Sequence, residues 1–118
     1  MVVLSRTFAK GGRAGGDLRG NSAARRARKG FLLVTFGNGE TCPCAYCGHC
    51  LVSATLEADR IIPGSEGGSY RRDNVIPACR GCNAARGDKS LWAFAPNVAR
   101  RLKRQGYVVS ARQAALAA

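Results

Sequence analysis

The sequence predicts an α+β fold: a small domain stapled by a four-cysteine zinc site, with a basic arm before it and helices after it. Three observations predict this. Two CxxC pairs, Cys44/Cys47 and Cys79/Cys82, stand 31 residues apart. Between them lie two short strand-like runs separated by a loop rich in glycine and serine. Beyond them come capped, helix-compatible segments. At 118 residues the chain is one small domain with tails.

Along the chain, residues 1–30 hold eight Lys/Arg and a single acid, Asp17, among many glycines. Such a segment buries too little apolar surface to offset its ordering entropy, so a flexible basic arm is expected, ending in Arg25-Arg26-Ala27-Arg28-Lys29. Residues 31–36 are a compact apolar and β-branched run closed by Gly37-Asn38-Gly39, which reads as a strand and turn or a short helix. Residues 40–50 form a cysteine-rich knuckle. Residues 56–62 alternate Leu56 and Ala58 against Glu57 and Asp59, which suits a strand. Breakers over residues 63–69 make a loop, and residues 74–77 a second strand, antiparallel to the first if the loop folds back. Residues 79–86 suit a helix stopped at Gly87. Ser90 reads as the N-cap of residues 91–94, and residues 96–105 as a basic helix ended by Gly106. Trp92 and Phe94 read as core. The zinc-stapled domain is thus residues 31–106, with an alanine-rich tail of helical composition over 107–118. A core this modest commonly needs a staple.

Nineteen Lys and Arg against seven Asp and Glu give +12, or about +10 once four thiolates hold Zn²⁺. That charge points to an anionic partner. No apolar run is long enough to span a membrane, and residues 1–6 lack a signal-peptide core. The expected setting is a reducing cytoplasm, where paired CxxC motifs favour metal over disulfides. The expected partner is nucleic acid, with no membrane, bound by a monomer or weak dimer.

Structural Zn²⁺ prefers four tetrahedral thiolate or imidazole ligands, and CxxC sets two sulfurs on one tight turn. Cys44, Cys47, Cys79 and Cys82 are the predicted set. Cys47-Gly48-His49-Cys50 is also a CxxC, and Cys42 is near. Cys44/Cys47 is preferred because Gly48 permits the positive φ of a knuckle turn. His49, the chain's one histidine, reads as exposed in the knuckle, with ligation or a place at the catalytic centre as alternatives.

Leu56-Glu57-Ala58-Asp59-Arg60-Ile61-Ile62-Pro63, Gly67-Gly68, Asn74-Val75 and Cys79-x-x-Cys82-Asn83 resemble the HNH endonucleases, and most of all the small zinc-stapled ones of phage and bacterial genomes. The resemblance covers about residues 42–90. It implies a ββα-metal fold, two antiparallel strands and a helix clasping one divalent cation, and a metal-dependent DNA endonuclease or nickase. Carried over residue by residue, Asp59 and Asn83 match the ligands of catalytic Mg²⁺ or Mn²⁺. Asn74 matches the asparagine that braces the loop between the strands. A carboxylate and an amide oxygen are hard ligands suited to such a cation. Arg60 stands where the family has the histidine that activates water. Arginine stays charged and only donates, so it is no base. Three readings stay open: the cation alone activates water while Arg60 clamps phosphate; His49 or Glu57 is the base; or the site is a catalytically silent zinc module that binds DNA or RNA. Arg71, Arg72, Arg80, Arg86 and Lys89 flank the site as candidate contacts to DNA backbone phosphates, with Arg100, Arg101, Lys103 and Arg104 beyond. Tyr70 reads equally as a base-stacking platform or loop packing.

Overall fold

The computed structural model describes residues 20–112; most of the expected arm and the last residues of the tail lie outside them. The first element is α1, Ser22–Phe36, started by Asn21, whose side chain accepts the Ala24 N–H at 2.9 Å. A cap of this kind contributes about 1 kcal/mol. Of the two readings of residues 31–36, a strand and turn or a short helix, the structure has the helix, longer than expected and beginning before residue 30. Arg28, Leu32 and Leu33 are its buried residues, so the apolar run is the inner face of a longer helix. The β-branched Val34 and Thr35 that suggested a strand are exposed.

The knuckle is a small antiparallel pair, β1 (Cys42–Pro43) and β2 (Cys50–Leu51). The second antiparallel pair is β3 (Glu57–Arg60) with β4 (Val75–Ala78), in the register Glu57 to Ala78, Asp59 to Ile76 and Arg60 to Val75. The loop between them folds back through 3-10 turns at Gly64–Glu66 and Arg72–Asn74. β4 then leads into α2 (Arg80–Arg86), followed by α3 (Leu91–Phe94) and α4 (Pro96–Arg104). Ser90 caps α3 by accepting the Ala93 N–H at 3.1 Å, and Pro96 starts α4, where a missing N–H costs nothing.

All four residues of β4 are buried, and they serve two apolar clusters. Val75 and Ala78 join Leu32, Leu51 and Leu56 beneath α1. Ile76 joins Ile61, Leu91 and the α4 residues Val98 and Leu102 on the other side. The β3–β4 hairpin is therefore held between two apolar clusters, and its end toward α2 is fixed in position. Tyr107 and Val109 also enter the second cluster, so the packed unit extends past residue 106. Trp92 corrects the core expectation, since it is 37% exposed. Phe94 is half-buried, edge-on to Tyr46 with ring centroids 5.2 Å apart. Among the described residues no helix is long and apolar enough to cross a membrane.

Candidate active site

The four predicted cysteines converge. The sulfurs of Cys44, Cys47, Cys79 and Cys82 all lie within 4.8 Å of one another, and those of Cys47 and Cys79 are 3.9 Å apart. Zinc–sulfur bonds of about 2.3 Å in a tetrahedron need edges of about 3.8 Å, so the set could hold Zn²⁺. The two pairs come from different elements. Cys44 and Cys47 flank the knuckle turn, where Gly48 has φ +78°. Cys79 is the N-cap of α2, its sulfur accepting the Cys82 N–H at 3.3 Å. Cys44 Sγ accepts the N–H groups of Cys79 at 3.3 Å and Tyr46 at 3.4 Å. Burial opposes ionisation of Cys44, but backbone N–H donors, including those of Cys79 and Tyr46, outweigh it and bring the thiol down to about 7. Cys82 is pushed up, first by burial and then by the neighbouring sulfurs. Four thiolates this close need a cation between them. Cys42 is buried on β1, Cys50 and His49 are exposed, and none of them enters the cluster.

Asp59 on β3 and Asn83 on α2 line one cavity of about 240 Å³, together with Arg60, Tyr70 and Asp88. Asp59 is 6% exposed. Its hydrogen bonds fall on Oδ2, from the Tyr46 hydroxyl and from Arg86 Nη1 at 3.1 Å, which leaves Oδ1 unclaimed. Burial pushes this carboxyl above the usual range, against the opposing pull of Arg86 and the Tyr46 hydrogen bond. Burial and the Asp59 charge likewise push the Tyr46 hydroxyl up, so it stays a donor. Asn83 donates its Nδ2 to Glu57 Oε1 at 2.7 Å; its amide oxygen is the part left for a ligand. Two lining residues of one cavity that offer a carboxylate and an amide oxygen fit a hard divalent cation.

Arg86 requires a correction. Expected among the cations that grip DNA phosphates, it is fully buried and turned inward. Its guanidinium donates to Asp59, to the carbonyls of Arg60 and Ile61, the latter at 2.7 Å, and to the Lys89 carbonyl at 3.0 Å. It ties α2 to β3 and to the start of the loop. Its position three residues after Asn83, on the same helical face, was the signal available in the sequence. Asn74 is also buried. Its Oδ1 accepts the Ile62 N–H at 2.9 Å, and its Nδ2 donates to the carbonyls of Ile62 at 3.1 Å and Ser69 at 2.8 Å. These bonds close the loop between β3 and β4.

Arg60 lies with its guanidinium 4.5 Å from the Tyr70 ring centroid, and Arg28 of α1 sits 4.6 Å from the same centroid. Tyr70 thus packs between two arginines. The backbone of Gly64 runs directly under Arg60, and a Cβ there would fall 2.7 Å from Nη1. Of the other flanking cations, Arg71 pairs with Asp73 at 3.4 Å, Arg72 stacks over Phe31, and Arg80 and Lys89 are exposed. His49 does not line the cavity. Three participants were missed in the sequence: Tyr46, Asp88 and Glu57 as the partner of Asn83. Tyr46 gives no signal, because only the folded knuckle turns it toward Asp59.

Residues 44–97 match the HNH endonuclease family model. Over 57 residues the chain is 33% identical to the CRISPR-associated endonuclease Cas9 of Corynebacterium diphtheriae, a stretch that is 46% of this chain and 5% of that protein. The chain therefore corresponds to a small fraction of that relative's length. No solved structure gives a significant match.

Proposed function

We propose, from a chain whose residues 44–97 belong to the HNH endonuclease family, that this protein is a metal-dependent DNA endonuclease or nickase working in the cavity between β3 and α2. The observation that carries the reading is the meeting of Asp59, Asn83 and Arg60 around that one cavity. Asp59 Oδ1 and the Asn83 amide oxygen would hold Mg²⁺ or Mn²⁺. Such a cation, when bound, stabilises charge on the scissile phosphate and the leaving oxygen.

The chain's own residues do the rest. Arg86 and Tyr46 fix Asp59 through Oδ2, and Glu57 fixes the Asn83 amide. Asn74 locks the loop that carries the cavity rim. Arg60 is permanently charged and offers a fork of donors, so its role in this reading is to clamp phosphate oxygens and offset charge built in the transition state. The four cysteines hold a structural Zn²⁺. The second reading, a silent zinc module that binds nucleic acid, is favoured by one observation: Asp59 already has a full positive partner in Arg86.

The two readings separate in one assay. Zinc-loaded protein is incubated with supercoiled plasmid and Mg²⁺ or Mn²⁺, beside Asp59→Ala. We expect metal-dependent nicking by the wild type and a loss of at least about 100-fold in the variant. Equal nicking by both proteins, or none with either metal, overturns the enzyme reading.

A further inference from the structure

A second concavity, a cleft of about 620 Å³, runs along α1 and meets the active-site cavity. Asn83, Ala58 and Tyr70 line both. Arg25, Arg26, Arg28 and Lys29 of α1 form its wall, and Glu57, already bonded to Asn83, is the acid that lines it. Among the described residues, Arg25, Arg26 and Lys29 face one committed carboxylate and leave the cleft positive.

The helix itself gains nothing from this arrangement. The N-terminal end of a helix is the positive end of its dipole and favours acids. α1 has no acid in its first turn and no base in its last; Arg25 and Arg26 sit near the end where they oppose the dipole, and Arg28 and Lys29 lie mid-helix. That placement fits an external anion. Two contacts hold the wall in place: Arg28 is 8% exposed and stacks on Tyr70, and Lys29 Nζ donates to the Ser53 carbonyl at 3.0 Å. Residues 25 and 29 are separated by about 6 Å along the helix, the axial rise of roughly two nucleotides of one strand.

We infer that α1 is the second wall of the groove that takes the DNA backbone flanking the cleaved phosphate. Arg25, Arg26 and Lys29 are its phosphate contacts, and Arg28 pins it to Tyr70. The identity of the strand as DNA substrate rests on the nuclease reading; the polyanion groove does not.

The test is binding of a fluorescein-labelled DNA duplex by the full zinc-loaded chain, without divalent cation, across a salt series. Each lost phosphate contact lowers the slope of log K against log salt by about 0.9. The R25Q/R26Q/K29Q protein is expected to lose about 2–3 units of slope and at least 10-fold in affinity near 0.1 M salt. R100Q/K103Q/R104Q removes the same charge from α4, whose residues line neither the cleft nor the cavity, and is expected to lose less than about 3-fold. An unchanged slope in the α1 variant, or equal losses in the two triples, overturns the proposal. If the α1 triple loses helix by circular dichroism, R26Q alone must lower the slope by about 0.9, and no change overturns it equally. Tighter binding of an RNA duplex than of DNA overturns DNA as the occupant. Normal binding with the expected slope loss but no plasmid nicking sinks the nuclease reading and leaves the groove standing.

Discussion

In the proposed nuclease Arg60 is the residue on which the chemistry would turn, and its surroundings show how it is held. Tyr70 lies against its face, and Gly64 leaves room beneath it. Gly64→Ala introduces a methyl 2.7 Å from the guanidinium, and the side chain, being flexible, must swing away. If Arg60 clamps phosphate, Gly64→Ala should slow cleavage about as much as Arg60→Ala, while thermal unfolding shifts by no more than about 2–4 °C, as for a surface change. A wild-type rate in Gly64→Ala beside a slow Arg60→Ala would mean that this orientation does not matter. At this scale the sequence was legible where a motif ties residues together. The four cysteines of the two CxxC pairs converge, Asp59 and Asn83 line one cavity, and Asn74 closes the loop between the strands; the work of Asp59 and Asn83 on a cation is the proposed part. Tyr46, which reaches Asp59, and Asp88, which lines the cavity, were not legible, because each is placed by a turn whose geometry leaves no periodic trace.

Between elements, the joint of β3 and α2 is built around Arg86. A fully buried guanidinium is costly to desolvate, and it persists here because Asp59 and backbone carbonyls of three residues take up its donors. Removing one partner of a buried pair leaves the other charge uncompensated, which costs about 3–5 kcal/mol. Arg86→Met should therefore lower the urea-unfolding free energy of the zinc-loaded chain by about that amount, through Asp59 left unpaired. A change under about 1 kcal/mol would show that Arg86 is not a brace. In sequence it reads as a surface cation because its charge outweighs the one cue to the contrary, its place three residues after Asn83 on the same helical face. For α1 the sequence left strand and helix open. β-branched residues in a short apolar run mimic a strand, and the buried face of the helix includes a charged residue, Arg28, which masks its periodicity. The hairpin, α2 and the caps of α3 and α4 were legible, since alternation, Cys79 and Ser90 each act locally.

For the whole molecule, two clusters of modest size flank one hairpin, and the cysteine site joins the knuckle to α2. Zinc-site formation supplies apparent binding energies of about 10–16 kcal/mol in small domains, comparable to the entire stability of such a fold. Stripping the metal with a chelator, or Cys82→Ser, should abolish a cooperative melting transition by circular dichroism. A cooperative melt retained without metal would show that the apolar clusters suffice. The same scale sets the proposed substrate surface, because the cations that matter are those the fold gathers in the α1 cleft, not those nearest the motif in sequence.

The central claim, that Asp59 and Asn83 together hold one working cation, is tested most directly by Mn²⁺ titration of the zinc-loaded chain, followed by electron paramagnetic resonance of the free ion. The account predicts one Mn²⁺ bound per wild-type chain, and loss of that site in Asp59→Ala and in Asn83→Ala alike. Undiminished Mn²⁺ binding by either variant would contradict it.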